Sequence, residues 1–332
     1  MSFSYILKSK SLIVAVFVLS GCGGQIERDD AGGPVVPPPP AIDKVEDQAI
    51  EVEAPDSQQA EQEMSMQVGL PEMANRTEPA KIGLILGPGA VRTYAHLGVL
   101  QSLVKARLPI KAVVGLGWSA PIAAMYAANA RLYDAEWKMM KLSAEMLPKA
   151  GILDRSIQPK PISSFLGEFL EKNLPKKKLS EYEISFACPS QSVFDPNVKM
   201  RDRGEGRDVV KRCMSVLPYF TAESGEFGSL TAVRESANWL RTQGADVIIL
   251  VNVLEYGNLV DKDKQDVEYR NLVLWSEVRQ AIKTQQLGIT EVIGVNTSEI
   301  DVFSFNKRRD LILKGSETGR SAGERLSAKY GL

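Results

Sequence analysis

From Lys81 onward the sequence predicts an α/β domain, a mostly parallel central sheet flanked by helices. Three observations carry that class. Short apolar runs of strand length alternate with stretches whose apolar residues recur at helical spacing. Two strand-to-helix junctions hold glycine-bearing loops, Leu86–Arg92 and Val113–Pro121. The run Val247–Val253 is apolar at nearly every position, as a strand covered on both faces must be.

Each element follows from its own residues. Ile82–Leu86 reads as a strand, and Tyr94, Leu97, Leu100 and Val104 follow at helical spacing. Lys111–Leu116 is the next strand, and Ile122, Met125 and Tyr126 open the next helix. Helical stretches are predicted over Asp134–Met146 and Ser163–Asn173. Ile184–Ala187 is a strand, with Gln191–Val193 as its continuation, and Asp208–Ser215 is helical. Val233–Thr242 is an amphipathic helix closed by Gly244 before the buried strand Val247–Val253. A long helix over Val267–Gln285, a strand over Glu291–Val295 and a helical region over Lys307–Lys329 complete the series. There is no internal repeat, and residues 81–332 are compatible with one domain.

The first eighty residues read differently. Met1–Cys22 places Lys8 and Lys10 before the apolar run Leu12–Leu19, then Ser20-Gly21-Cys22. That run is too short to span a bilayer, and a basic flank before a short apolar core is the layout of a secretory signal peptide. Leu19-Ser20-Gly21-Cys22 is similar to a bacterial lipobox, which implies that Cys22 is acylated and holds the chain to membrane lipid. The alternative is an ordinary signal peptide with a chance cysteine. Gly23 and Gly24, with no Asp after the cysteine, imply a cell-envelope location at the outer membrane, facing the periplasm or the surface.

Residues 23–80 read as an acidic, Pro-rich disordered tether without an aromatic residue, in which acids outnumber Arg28, Lys44 and Arg76 several-fold. As a flexible coil it would span on the order of 40 Å. The whole chain has net charge −1, so residues 81–332 are net basic. That charge either favours anionic head groups or belongs to an ordinary solvated surface. Setting Cys22 aside, Cys188 and Cys213 remain of the three cysteines. In an oxidising compartment they form either a disulfide or two buried thiols.

The two glycine loops hold the residues suited to chemistry. Ser119 stands at a strand-to-helix corner, where a nucleophile elbow presents its hydroxyl. In the first loop Gly87, Gly89, Ala90 and Arg92 offer backbone N–H groups and a cation at a helix N-terminus, where an oxyanion could be held. A nucleophile beside an anion hole points to acyl transfer.

Gly87-Pro88-Gly89-Ala90-Val91-Arg92, followed by Ala95-His96-Leu97-Gly98-Val99-Leu100, resembles the opening of patatin-like phospholipases. Gly117-Trp118-Ser119 and the small-residue helix Ala120–Ala130 resemble that family's elbow, and Arg212–Phe220, Gly244–Ile248 and Phe305–Gly323 resemble its later blocks. The resemblance covers about residues 81–332. It implies a three-layer patatin-like fold, a Ser–Asp dyad acting on lipid esters, and a structural role for His96, the single histidine of the chain.

The sequence departs from the family pattern at several positions. The place of the family's Asp falls near Gly228, within Glu223–Ser229, where no Asp-Gly occurs. Glu226 is the nearest acid, either a substitute base for Ser119 or a solvated loop carboxylate. Pro88 has no N–H to donate, and Ala90, Val91 and Thr93 stand where the family prefers glycine. Pro121 replaces the elbow's last glycine, which a first helical turn accepts. Trp118 lines an acyl pocket or simply packs.

Two readings follow. In the first, the chain is a membrane-anchored patatin-like envelope protein with weak or lost catalysis, engaging a phospholipid, another lipid or an envelope protein. In the alternative it is an active serine lipid acyl hydrolase: Ser119 attacks, Glu226 or another base takes the proton, and Gly89, Ala90 and Arg92 hold the oxyanion. No cofactor is expected, since the chain has no dinucleotide fingerprint and no Walker sequence. One histidine and two cysteines at these spacings make no metal site. Lys176-Lys177-Lys178 reads as a solvated turn, and nucleic acid is not an expected partner of an exported chain.

Overall fold

A computed structural model describes residues 79–146, 159, 161–259 and 269–332. The expected signal peptide with Cys22 lies outside the described residues, as does all but the end of the expected tether. The sheet is built from β1 (Ile82–Leu86), β2 (Ile110–Gly115), β3 (Ser185–Ser192), β4 (Asp195–Arg201), β6 (Val247–Asn252) and β7 (Glu291–Gly294), in the order β4-β3-β2-β1-β6-β7. A three-residue strand, β5 (Glu226–Gly228), pairs with β3 off that path. From β3 through β7 every pairing along the central path is parallel, while β4 and β5 run antiparallel to β3.

Alternation along the strands sorts their side chains into two cores. Ile82, Leu84 and Leu86 of β1 share one layer with Val113 of β2 and with Val247, Ile249 and Val251 of β6. Against that face pack α1 (Ala95–Lys105), α2 (Ala120–Asn129), α5 (Gly206–Met214) and α8 (Arg308–Tyr330). Ile85, Val114, Ile248 and Leu250 point the other way, against α6 (Val233–Thr242) and α7 (Tyr269–Thr284). The result is the three-layer α/β arrangement that the alternation in the sequence implies.

Two helices, α1 and α8, meet at unusually close range. A Cβ added at Gly98 would lie 2.0 Å from the Ile312 carbonyl oxygen, and one at Gly315 would lie 2.0 Å from that of Ala95. Only a hydrogen fits at either point. Ser102 Oγ donates to the Ser316 carbonyl at 2.8 Å across the same seam. The far end of α8 is clasped to β7, where Glu291 accepts from Arg325 at 2.6 Å, Lys329 at 2.5 Å and the Tyr330 hydroxyl at 2.8 Å.

Several elements differ from the sequence expectation. The helix expected over Asp134–Met146 is α3 (Leu132–Met139), which gives way to a turn and a short 3-10 segment at Ala144–Met146. β3 runs unbroken through Ser192, and it gains β4 and β5 as partners that the sequence pattern does not predict. Between α3 and β3 the helix α4 (Ser163–Asn173) has the expected bounds. Cys188 of β3 and Cys213 of α5 are joined in a disulfide with a Cα–Cα distance of 6.1 Å, so the free-thiol alternative falls. Among the described residues no helix is long and apolar enough to cross a membrane.

Candidate active site

The two glycine loops meet at the carboxyl ends of β1, β2 and β6, beside the central strand where the direction of winding reverses. Open α/β sheets form their crevices at such a point. After β1 the backbone is drawn under β6: the Gly87 N–H donates to the Val251 carbonyl at 3.0 Å, and a Cβ at Gly87 would lie 2.8 Å from that oxygen. A Cβ at Gly89 would lie 2.5 Å from Val253 Cγ2. Ala90 then takes φ +47°, a left-handed conformation that an L side chain disfavours, and a 3-10 turn over Ala90–Tyr94 leads into α1.

The amides of this loop are unequally engaged. The Val91 N–H donates to the Val302 carbonyl at 2.9 Å and the Arg92 N–H to that of Gly89 at 2.9 Å. Among the described residues, the N–H groups of Gly89 and Ala90 have no intramolecular acceptor. Of the amides the sequence offers for an oxyanion these two are left, whereas that of Gly87 is committed to the Val251 carbonyl, contrary to expectation.

Arg92 has a different set of partners. Its side chain is fully buried, Nε donates to the Ile300 carbonyl at 2.7 Å, and Nη2 donates to that of Asn258 at 2.5 Å. Nη1 is buried without a hydrogen-bond partner among the described residues. Burial lowers the guanidinium pKa to about 10, with Arg279 adding to the shift and Asp301 opposing it. The cation therefore ties two distant loops to the glycine turn.

The second loop places Ser119 at its corner with the strain displaced onto a neighbour. Gly117 has φ +58°, whereas Ser119 sits at φ −80° and ψ −16°, ordinary helical values. Nucleophile elbows put the serine itself on a strained turn. A Cβ at Gly115 would lie 2.5 Å from Ala120 Cα, so glycine is what lets α2 leave β2 so sharply. Over Gly117 lie two apolar side chains: its added Cβ would meet Leu230 Cδ2 at 2.4 Å and Val216 Cγ2 at 3.4 Å. Ser119 itself is fully buried.

The Ser119 hydroxyl donates to the Gly87 carbonyl at 2.5 Å. His96 Nε2 lies 2.8 Å from the same oxygen. A carbonyl only accepts, so Nε2 carries the imidazole proton. Burial lowers the His96 pKa to about 4, against the opposing hydrogen bond to Gly87, and Nδ1 is buried without a partner among the described residues. His96 is thus a neutral donor to the loop. It and the serine converge on one acceptor that cannot take a proton.

Glu226 lies on β5, where its carboxylate accepts from Ser190 Oγ at 3.0 Å and forms an ion pair with Arg201. Arg201 Nε also donates to Ser190 Oγ at 3.0 Å, closing the cluster. The structure does not bring Glu226 to the serine; Ser119 hydrogen-bonds no carboxylate among the described residues. At the end of β5, where the sequence resemblance leads one to expect an acid, Gly228 abuts the Cys213 backbone, and two residues on Leu230 reaches the elbow. Trp118 is half-buried and stacks on Phe220 with centroids 5.9 Å apart. Sequence reasoning missed the Gly87 carbonyl as acceptor and the Leu230–Val216 cover; an apolar Leu230 just beyond a polar loop was the one available signal for the latter. No group of three or more His, Cys, Asp or Glu among the described residues is placed to hold a metal ion.

No family model matches the chain. It is similar to "Lysophospholipase NTE1" of Coccidioides immitis, with 25% identity over 193 residues, 54% of this chain and 12% of that protein. It is also similar to "Lysophospholipase nte1" of Neurospora crassa, with 24% identity over 205 residues, 58% of this chain and 13% of that protein. The chain thus spans only about an eighth of the length of these curated relatives. Among solved structures, VipD from Legionella pneumophila gives a TM-score of 0.41 at 11% identity, covering 76% of this chain and 67% of that one. The type III effector ExoU gives 0.38 at 14% identity, covering 74% and 53%. The sequence similarity is thus to proteins named lysophospholipases, over a little more than half of this chain.

Proposed function

We propose that this chain is an envelope-anchored, patatin-like protein whose serine no longer turns over esters, and that it keeps the fold to engage a lipid or an envelope protein. One observation carries the reading. The Ser119 hydroxyl is fully buried, unstrained and donating to the Gly87 carbonyl. Attack on an ester needs the opposite arrangement, a hydroxyl facing the substrate with its proton directed at a base. Anchoring through acylated Cys22 belongs to the same proposal and rests on the lipobox-like Leu19–Cys22 segment. Mass spectrometry of the purified protein tests it: a diacylglycerol or acyl adduct on Cys22, lost in Cys22→Ala, is expected, and an unmodified cysteine would overturn it.

The second reading is an active lipid acyl hydrolase, and a specific observation favours it. Gly89 and Ala90 keep unengaged amides, and Ala90 holds a disfavoured φ of +47°. Strain of that kind clusters at functional sites. In this reading Ser119 rotates away from Gly87, and Glu226 leaves Arg201 or another base takes its place. A fluorophosphonate probe separates the two. Under the non-catalytic reading the protein stays unlabelled at probe concentrations that saturate an active patatin-like control. Labelling that disappears in Ser119→Ala, together with ester turnover, would establish the hydrolase instead.

A further inference from the structure

One surface of the domain is unlike the rest. On α3, Tyr133 and Trp137 stand one helical turn apart and are 83% and 63% exposed. An open groove between this helix and α8 is lined by Tyr133, Glu136, Trp137, Met140, Arg309 and Ile312, and the next residue of α8, Leu313, is 61% exposed. Large aromatic rings left this far in water have no role in the core.

The charges around the rings are arranged for an external anion. Lys141 lies over the Trp137 ring, 3.2 Å from its centroid. Arg131 and Arg309 are exposed and pair with no carboxylate among the described residues. Of the nearby acids, Asp134 pairs with Lys138 at 2.6 Å, whereas Glu136, which also lines the groove, accepts from the neutral amide of Gln101 at 2.5 Å and keeps its charge. The patch therefore presents the rings together with an excess of cations, Arg131, Lys141 and Arg309 against the single carboxylate of Glu136.

The face is also held rigidly. The Tyr94 hydroxyl donates to the Met139 carbonyl at 2.7 Å, and Arg308 donates to the carbonyls of Met140 and Leu142. Tyr94 ends the 3-10 turn of the glycine loop, so the aromatic face is fastened to the candidate site.

We propose that the α3–α8 face docks on an anionic phospholipid bilayer, with Tyr133 and Trp137 in the head-group zone and Arg131, Lys141 and Arg309 against lipid phosphates. Rings with an apolar body and a polar edge are favoured at that depth, and each juxtamembrane cation adds attraction to anionic lipid. Two rings and a leucine, at most about 250 Å² each, fall short of the roughly 800 Å² per partner of a stable protein interface. A bilayer needs no such area in one piece. The inference does not depend on whether Ser119 reacts.

The test uses the full chain and vesicles carrying lipids brominated near the head group, either phosphatidylglycerol with phosphatidylcholine or phosphatidylcholine alone. Tryptophan fluorescence should be quenched on the anionic vesicles. Trp137→Phe should remove that quenching, and Arg131→Glu with Arg309→Glu should reduce it at least about fivefold, with far-UV circular dichroism showing each variant folded. Quenching unchanged by Trp137→Phe, equal on neutral vesicles, or absent from both would overturn the proposal. So would a dimer in analytical ultracentrifugation that Tyr133→Ser with Trp137→Ser converts to monomer, since the face would then belong to a second copy.

Discussion

The carbonyl of Gly87 accepts from both Ser119 and His96, and that shared acceptor fixes what each side chain contributes. Removing the serine hydroxyl leaves the carbonyl satisfied by the imidazole. Ser119→Ala should therefore cost no more than about 1 kcal/mol in denaturant unfolding, the net worth of one ordinary hydrogen bond. The imidazole behaves differently with pH. Its folded pKa is about 4, below the ordinary 6.5, so the unfolded chain binds a proton that the folded one refuses. Stability from this group is full above pH 6.5 and is lost as pH falls through about 4, reaching about 3 kcal/mol. In His96→Gln, unfolding free energies measured at pH 7 and pH 4.5 should differ less than in the parent protein. The serine corner and the glycine turn were legible in the sequence because each is a short-range pattern. Arg92's role was not, because its acceptors Ile300 and Asn258 lie at separations of 208 and 166 residues.

Among the elements, the α1–α8 seam depends most on single residues. Gly315→Val would drive a branched side chain into the Ala95 carbonyl, and the melting temperature should fall by the equivalent of about 2 kcal/mol or more, the cost of a severe overpacking. The clasp at Glu291 acts through charge. Burial raises its pKa, but hydrogen bonds from Arg325, Lys329 and Tyr330 outweigh that and hold it at about 2. Its contribution is present above the ordinary carboxylate value of 4.5 and is lost as pH falls through about 2, below the window in which His96 begins to titrate. Glu291→Gln should flatten the acid limb of the stability profile in that lower range. The central strands and most helices could be read from apolar periodicity, but β4 could not. Its residues Asp-Pro-Asn-Val-Lys-Met-Arg are polar, carry a proline and show no clean alternation, as an edge strand's do. β5, three residues long, offers no period at all.

For the whole molecule, charge and covalent linkage place constraints that no single element shows. The Cys188–Cys213 bond joins β3 to α5 across a sequence separation of 25 residues. Replacing both cysteines by alanine should lower unfolding free energy by about 3 kcal/mol, the value expected for a closed loop of this size. Such a bond persists in an oxidising compartment. The sheet order places both glycine loops at the carboxyl ends of the central strands, so the site's location follows from topology.

The α1–α8 seam also sets a timetable for synthesis. Ser102 and its partner Ser316 are 214 residues apart. At about 5–20 residues per second, roughly 10 to 40 s separate the appearance of α1 from that of the helix that covers it. Through that interval the side of α1 that carries Gly98 has nothing to lie against, and the unit it belongs to lacks one wall of its core. A nascent chain in this condition exposes apolar surface and is a client for holding chaperones. A ribosome stalled before Arg308 should accordingly carry a protease-sensitive chain, and one that has released Tyr330 a resistant product.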